Sequence, residues 1–470
     1  MVERYQCVDE FSTFGSRIPN MLHALSPVDG RYRRHTEPLA KWLSEQGLIQ
    51  HRVEVEIEYF LQLVAMPLPQ LADFPKEKKE ALREVHRQFS EADAQWVKDQ
   101  EKVTNHDVKA VEYFVKDAMD RLGVGQWKEF VHFGLTSQDV NNTAIPLSLK
   151  RATEEVVLPL LEATTNDVAA LAKEWKEVPM LARTHGQPAS PVTLGKELQV
   201  FVDRLRGQRK ALDEAVYAAK FGGATGQFNA HRVAYPDVDW PSFGEAFVEG
   251  TLGLTRTPVT TQIEPYDHLA AWCDALRRIH TVLMDLDKDM WTYISMDYFK
   301  QRIVEGEVGS SAMPHKVNPI DFENSEGNLG VANALLAHFA AKLPVSRLQR
   351  DLTDSTVMRN LGVPLAHSVV AMKATRKGLG KLVLNGDKLA ADLEDNWAIV
   401  AEAIQTILRR ESYPKPYEAL KALTRTNGKI NQEVMHDFIQ GLEVSDEVKR
   451  ELSNITPANY LGFASELVRG

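Results

Sequence analysis

The segment Gly306-Glu307-Val308-Gly309-Ser310-Ser311-Ala312-Met313-Pro314-His315-Lys316-Val317-Asn318-Pro319-Ile320-Asp321-Phe322-Glu323-Asn324 has the residue types and spacing for proton abstraction next to an anion. Gly306 and Gly309 free the backbone, Ser310 and Ser311 bring hydroxyls, and Lys316 brings a cation. Asn318 and Pro319 then read as the N-cap and first residue of a helix, whose unpaired N–H groups and positive dipole end favour a carboxylate gaining charge nearby. A serine hydroxyl such as that of Ser311 is a base only if its ionised form is stabilised, which the loop N–H groups, Lys316 and the helix start can do. The plainer reading leaves Ser310 and Ser311 as turn formers and Asn318 as a cap.

Three further polar stretches fall where long helices should end: Asn105-His106-Asp107, Thr136-Ser137-Gln138-Asp139 and Arg183-Thr184-His185-Gly186-Gln187-Pro188. Thr136 and Asp139 have the spacing of a capping box with aspartate in the glutamate place, and Thr184 can cap or turn the chain before Pro188. His185 stands between a threonine and a Gly-Gln-Pro turn, so backbone rather than an apolar stripe holds it, and an imidazole suits general acid–base work near neutral pH. His106 is a second candidate, because the neighbouring Asp107 can orient its ring. His132 and His315 read as packing or loop residues. Two arginine-bearing segments, Asp29-Gly30-Arg31-Tyr32-Arg33-Arg34 and Arg350 to Arg359, can grip a phosphate or carboxylate, with Ser355 and Arg359 four residues apart on one helical face. Arg204 to Lys210 reads as a solvated helix face. No HExxH, CxxC, Walker loop or GxGxxG context occurs, so neither a catalytic metal nor any cofactor is expected.

Long helices must position these residues. Leu269, Trp272, Leu276, Ile279, Leu283, Leu286 and Met290 recur at steps of three and four; Val157 to Trp175 and Leu194 to Leu212 repeat the pattern. Further helices should run from about Pro319 to Lys342 and from about Gly362 to Leu382, while alternating strand patterns are nearly absent. The expected organisation is all-α: shorter helices in residues 1–126, a long-helix bundle in 127–380 and shorter helices again in 381–470. A chain of 470 residues exceeds one ordinary core. A net charge of −10 argues against nucleic acid as a partner, so an anionic substrate must be gathered by local cations. Cys7 and Cys273 match no metal or disulfide spacing, and no run is apolar enough for a membrane span or an export signal, which fits a cytoplasmic protein.

The Gly309–Pro319 loop, the Thr184-His185-Gly186-Gln187-Pro188-Ala189 turn and the Thr136-Ser137 turn together resemble the fumarase/aspartase superfamily, whose members eliminate fumarate from substituted succinates. Within it, Met313-Pro314-His315-Lys316-Val317-Asn318-Pro319 looks like the adenylosuccinate lyase family, since fumarase, aspartase and argininosuccinate lyase usually carry a different residue before the lysine. Ser26 to Tyr32, Thr104 to Glu112 and Gln349 to Thr356 match that family's bacterial long form, and the similarity runs from about Ser26 to Tyr460.

The resemblance implies a three-domain, all-α fumarase/aspartase-like fold, a homotetramer with active sites shared between subunits, and two small-molecule substrates, adenylosuccinate and SAICAR. It implies His185 as the general acid, Ser311 as the base for the Cβ proton, and Lys316 and Asn318 as stabilisers of an aci-carboxylate, with Glu323 in support. Arg31, Tyr32, Arg350, Ser355 and Arg359 would hold the nucleotide end; Asn105, His106, Asp107, Thr136, Ser137, Gln262 and Met313 would position the rest, His106 also serving catalysis. Gln138 stands where the long form usually has glutamate, and residues before about Leu22 extend beyond the usual start. Two alternatives remain at this point: 3-carboxy-cis,cis-muconate cycloisomerase, which shares the Met-Pro-His-Lys pattern without needing a nucleotide clamp, and a helical scaffold that has lost activity.

Overall fold

The computed structural model describes residues 21–302, 317–424 and 430–469. Ser311, Met313, His315 and Lys316 lie outside the described residues, as does Cys7. Helices dominate, and the longest is Asp267–Ser295, whose 29 residues span about 43 Å. Its stripe Trp272, Leu276, Ile279, Leu283, Leu286 and Met290 is buried, as the three-and-four spacing requires. It packs against Ile320–Lys342, which in turn lies along Gly362–Leu379. Leu158–Glu174 and Leu194–Asp213 close the bundle from the other side. The Thr193 hydroxyl caps Leu194–Asp213 by accepting the Lys196 N–H at 3.2 Å.

Buried polar groups interrupt the apolar bundle. The Asp287 carboxylate accepts the Thr375 hydroxyl at 2.9 Å, and Thr375 pairs with Ser325 at 2.8 Å, so three helices share one network. Burial pushes the Asp287 carboxyl up to about 7 even though these hydroxyls favour its ionised form. Seven residues earlier on the same helix, the His280 ring bonds Asn333 at 2.8 Å, and burial takes it down to about 4.

A second rod matters for function. Ser137–Ala152 passes through a π-helical turn, Thr153–Val157, directly into Leu158–Glu174. Pro159 has no N–H to give, and the wider turn upstream accommodates that loss without ending the helix. Two other cores flank the bundle. One joins Ile49 to Leu147 with Ala219 to Leu254, and a smaller one gathers Trp397, Ile404, Leu408, Met435, Ile439 and Leu452.

Three expectations need correction. The helix from Gly362 ends at Leu379, because Lys381 already accepts the Arg302 N–H at 2.7 Å and the chain goes on as Leu382–Leu384, antiparallel to Phe299–Gln301. Pro319, not Asn318, takes the cap position of Ile320–Lys342, so Asn318 sits one residue outside the helix mouth. The Arg204–Lys210 face is not merely solvated: Arg204 pairs with Asp285 at 2.5 Å and Arg209 with Glu162, tying neighbouring helices. Among the described residues no helix is long and apolar enough to cross a membrane.

Candidate active site

The arginine-bearing segment 350–359 folds around the short helix Thr353–Met358, opened by Asp351, whose carboxylate accepts the Thr353 N–H at 2.8 Å. Arg350 donates to the Ser355 hydroxyl at 2.6 Å and to Asp354 at 3.2 Å. Arg359, one turn beyond Ser355, donates to Asp107 at 2.9 Å and reaches Glu45 at 3.5 Å. Ser355 and Arg359 therefore share one face, as their spacing requires, and line a cavity of about 80 Å³ with Glu45, Arg52 and Asn141. Asp107 also accepts from the buried Arg52 at 2.8 Å and from Val108 N–H at 2.9 Å. Burial alone would raise its carboxyl, but Arg52 and Arg359 hold it below the usual carboxylate range.

His106 and Asp107 diverge, which corrects the idea that the carboxylate orients the ring. His106 caps the helix Asp107–Arg121 by accepting the Lys109 N–H at Nδ1, 3.1 Å. That assigns the proton of the neutral ring to Nε2, which lies 3.4 Å from the Ser137 hydroxyl. Asn105, just before it, takes the left-handed conformation that ends the preceding helix, with φ 50°.

The Thr136–Ser137 turn rests on one carboxylate. Asp139 accepts the Thr136 N–H at 2.8 Å through one oxygen, the acidic half of the capping box. Its other oxygen accepts Lys220 Nζ at 2.8 Å and the N–H groups of Gly222 and Gly223 at 2.8 and 3.0 Å. Both ionic side chains are 0 % exposed. Gly134 has φ +68° and no room for a side chain, since a Cβ there would meet the His231 ring at 2.7 Å. Gln138 is buried and accepts from Asn142 at 2.9 Å; Asn142 also bonds Tyr266 at 3.0 Å and accepts the Glu264 N–H at 2.6 Å. The Tyr266 hydroxyl reaches Asp354 at 3.0 Å, so this chain of bonds connects the Thr136 helix to the arginine segment. Gln262, half-buried, sits two residues before Glu264 in the same loop.

His185 lies elsewhere. Arg183–Thr184 and Gln187–Pro188 pair as a two-residue hairpin whose turn residues, His185 and Gly186, have φ 54° and 76°, the conformation a tight I′ turn demands. The ring stands exposed at the tip, and among the described residues nothing hydrogen-bonds to it. Arg31 and Tyr32 face yet another cavity, about 580 Å³, lined also by Arg34, His35, Asp321, Lys373 and Lys377. The Tyr32 hydroxyl donates to Asn324 at 2.9 Å, next to Glu323, whose carboxylate accepts the Trp291 indole N–H at 3.1 Å. One chain thus joins Asn105, His106, Asp107, Thr136, Ser137, Arg350, Ser355 and Arg359 through a run of bonds, with Gln262 in the loop that carries Glu264; Arg31 and Tyr32 line a second cavity beside Ile320–Lys342, the helix that bears Glu323 and that Asn318 precedes, and His185 stands on a separate hairpin.

Sequence reading missed Arg52, Asn141, Asn142, Lys220, Tyr266, Trp291 and Asp354. A signal existed for some. Arg52 stands next to Val53, within the mixed helix Glu45–Val64, and the Asn141-Asn142 doublet next to Val140 in Ser137–Ala152; all three are buried, where an unpaired polar group would be costly.

This is the bundle-and-turns arrangement of a helical lyase, and comparison with known proteins agrees. A lyase family model matches residues 30–333, and the adenylosuccinate lyase C-terminal model matches residues 346–461. Adenylosuccinate lyase of Dictyostelium discoideum is 55% identical over 455 residues, covering 94% of this chain and 97% of its own. That of Escherichia coli is 47% identical over 449 residues, covering 95% and 98%. The 3-carboxy-cis,cis-muconate lactonizing enzyme of Pseudomonas putida superposes with a TM-score of 0.73 at 20% identity over 92% of this chain and 95% of its own, and a fumarate lyase from a Mesorhizobium species with 0.71 at 20% over 92% and 96%; both share the fold alone. The chain belongs to the adenylosuccinate lyase family.

Proposed function

We propose that this protein eliminates fumarate from succinylated purine nucleotides, giving AMP from adenylosuccinate and AICAR from SAICAR, as a cytoplasmic homotetramer without a cofactor. The arginine–serine cluster carries the reading: Ser355 and Arg359 bring a hydroxyl and a guanidinium fork to one cavity, and Arg350 bonds the Ser355 hydroxyl at 2.6 Å, a donor set that suits a phosphate monoester. A lactonising enzyme acting on a carboxylate substrate that bears no phosphate does not need it.

The Cβ proton of the succinyl group is weakly acidic and leaves only when the adjoining carboxylate takes up the charge. Ser311 removes that proton, and Lys316 and Asn318 hold the resulting aci-carboxylate near the start of Ile320–Lys342. His185 then protonates the departing nitrogen, so that C–N cleavage releases fumarate and a neutral amine. His106, with its Nε2–H turned towards Ser137, orients the succinyl end. Met313 is assigned to substrate binding.

The rod supports a site shared between copies. From Ser137 to Glu174 it covers 38 residues, or about 57 Å. The ribbon bearing His185 is anchored at its far end, where Trp175 accepts the Gly195 N–H at 3.0 Å and Val178 the Leu194 N–H at 2.9 Å. Seven extended residues return about 24 Å at most, which for a straight rod leaves about 30 Å between His185 and Ser137 of the same chain. An acid and a binding turn that far apart serve one substrate only if neighbouring subunits contribute them. The test is fumarate release from adenylosuccinate by the purified protein, followed by ultraviolet absorbance together with its size in solution. Absence of turnover from a tetramer overturns the activity, and full turnover by a monomer overturns the shared site.

A further inference from the structure

We infer that Arg52 is a positioning residue for nucleotide binding, acting through Asp107 on Arg359. The inference rests on the clamp reading above. A single oxygen of Asp107 accepts two guanidinium groups, Arg52 at 2.8 Å and Arg359 at 2.9 Å. The two arginines differ in freedom. Arg52 is 3 % exposed and fixed by a second bond, to Asn141 at 2.8 Å, whereas the Arg359 side chain is 44 % exposed and reaches from Asp107 towards Glu45.

A fixed cation and a movable one therefore share an anion. When a phosphate draws Arg359 away, Asp107 keeps Arg52 and is never left as an unpaired, half-buried charge. Without Arg52, Asp107 would have Arg359 as its only cationic partner of these two, and each binding event would have to break that pair and strand the carboxylate. Arg52 thus lowers the cost of freeing Arg359, and its loss should weaken ground-state binding more than the chemical step. Burial lowers the Arg52 guanidinium from its ordinary range, while the carboxylates of Asp107 and, more weakly, Glu45 raise it.

The experiment uses the intact oligomer with Arg52→Gln, Arg52→Lys, Arg359→Gln and the two combinations with Arg359→Gln, each checked by circular dichroism and size. KM and kcat are measured with adenylosuccinate, and AMP and inorganic phosphate affinity by calorimetry, which needs no turnover. Arg52→Gln should raise KM and the AMP Kd about tenfold or more with kcat changed less than about threefold, and Arg52→Lys should recover part of the loss. In the Arg359→Gln background, Arg52→Gln should cost less than about threefold, because the group it acts through is gone. Penalties that multiply, or a fall in kcat at constant KM, overturn the inference. If Arg52→Gln fails to fold, Arg52→Lys alone and with Arg359→Gln provides the same test of additivity. A wild type that releases no fumarate yet binds AMP removes the proposed substrate and still permits the binding cycle; one that binds neither AMP nor phosphate overturns both.

Discussion

Exchanging Lys220 for methionine removes one of the four donors on Asp139 while keeping most of the side-chain volume. The remaining three, the N–H groups of Thr136, Gly222 and Gly223 at 2.8 to 3.0 Å, are neutral, so a carboxylate with 0 % exposure loses the one cation bonded to it among the described residues. Breaking one side of a buried pair costs about 3–5 kcal/mol, and the surviving N–H bonds place Lys220→Met at the lower end, about 3 kcal/mol. Asp139→Asn leaves the opposite charge buried and also turns an amide NH₂ towards one of the N–H groups, so about 4–5 kcal/mol is expected. The double variant has no buried charge and retains only the donor clash, about 1–3 kcal/mol. Urea unfolding followed by tryptophan fluorescence measures all three. The double variant should be more stable than either single one; a double penalty equal to the sum of the singles would refute the claim that this pair, rather than packing alone, holds the Thr136–Ser137 turn.

Other outcomes follow from the same structure. Asp287 has a folded-state pKa of about 7 against an ordinary 3.8, so the native state binds its proton more tightly than the unfolded chain. Stability should fall as pH rises from about 4 to 7 and level off above, by about 4 kcal/mol; Asp287→Asn should flatten that slope and be the more stable at pH 8 in denaturant titrations. Ser311→Ala and His185→Ala should each lower kcat by about 10²–10⁴-fold with unchanged circular dichroism, and near-normal turnover removes that residue from its role. Arg359→Ala should weaken AMP binding by about 1.5–3 kcal/mol in calorimetry, and unchanged affinity rejects the clamp. Trp291→Phe keeps an aromatic ring, smaller than the indole, but removes the bond to Glu323; a kcat lowered by about tenfold or less is expected, and an unchanged pH–rate profile would separate Trp291 from catalysis.

The long helices were legible because their burial is one-dimensional: a stripe at steps of three and four has only one way to hide, and Leu269 to Met290 does so within Asp267–Ser295. Turn chemistry was legible where glycine and proline dictate it, as at His185-Gly186. Partnership across the chain was not. Asp107 stands beside His106 in sequence but bonds Arg52 and Arg359, 55 and 252 residues away. Nothing in the sequence around Lys220 marks it as the lysine that the fold buries against Asp139. The Gly362 helix ran too long in the reading because Leu382 to Leu384 suits an apolar stripe as well as a strand, and only pairing with Phe299–Gln301 decides between them.

The rod from Ser137 to Glu174 has a consequence for the cell. On the proposed reading a lone chain, however well folded, carries parts of more than one site and the whole of none, so turnover would be a property of copies that have met. Dilution alone would switch it off, and newly made protein would stay silent until its concentration passed the threshold for assembly.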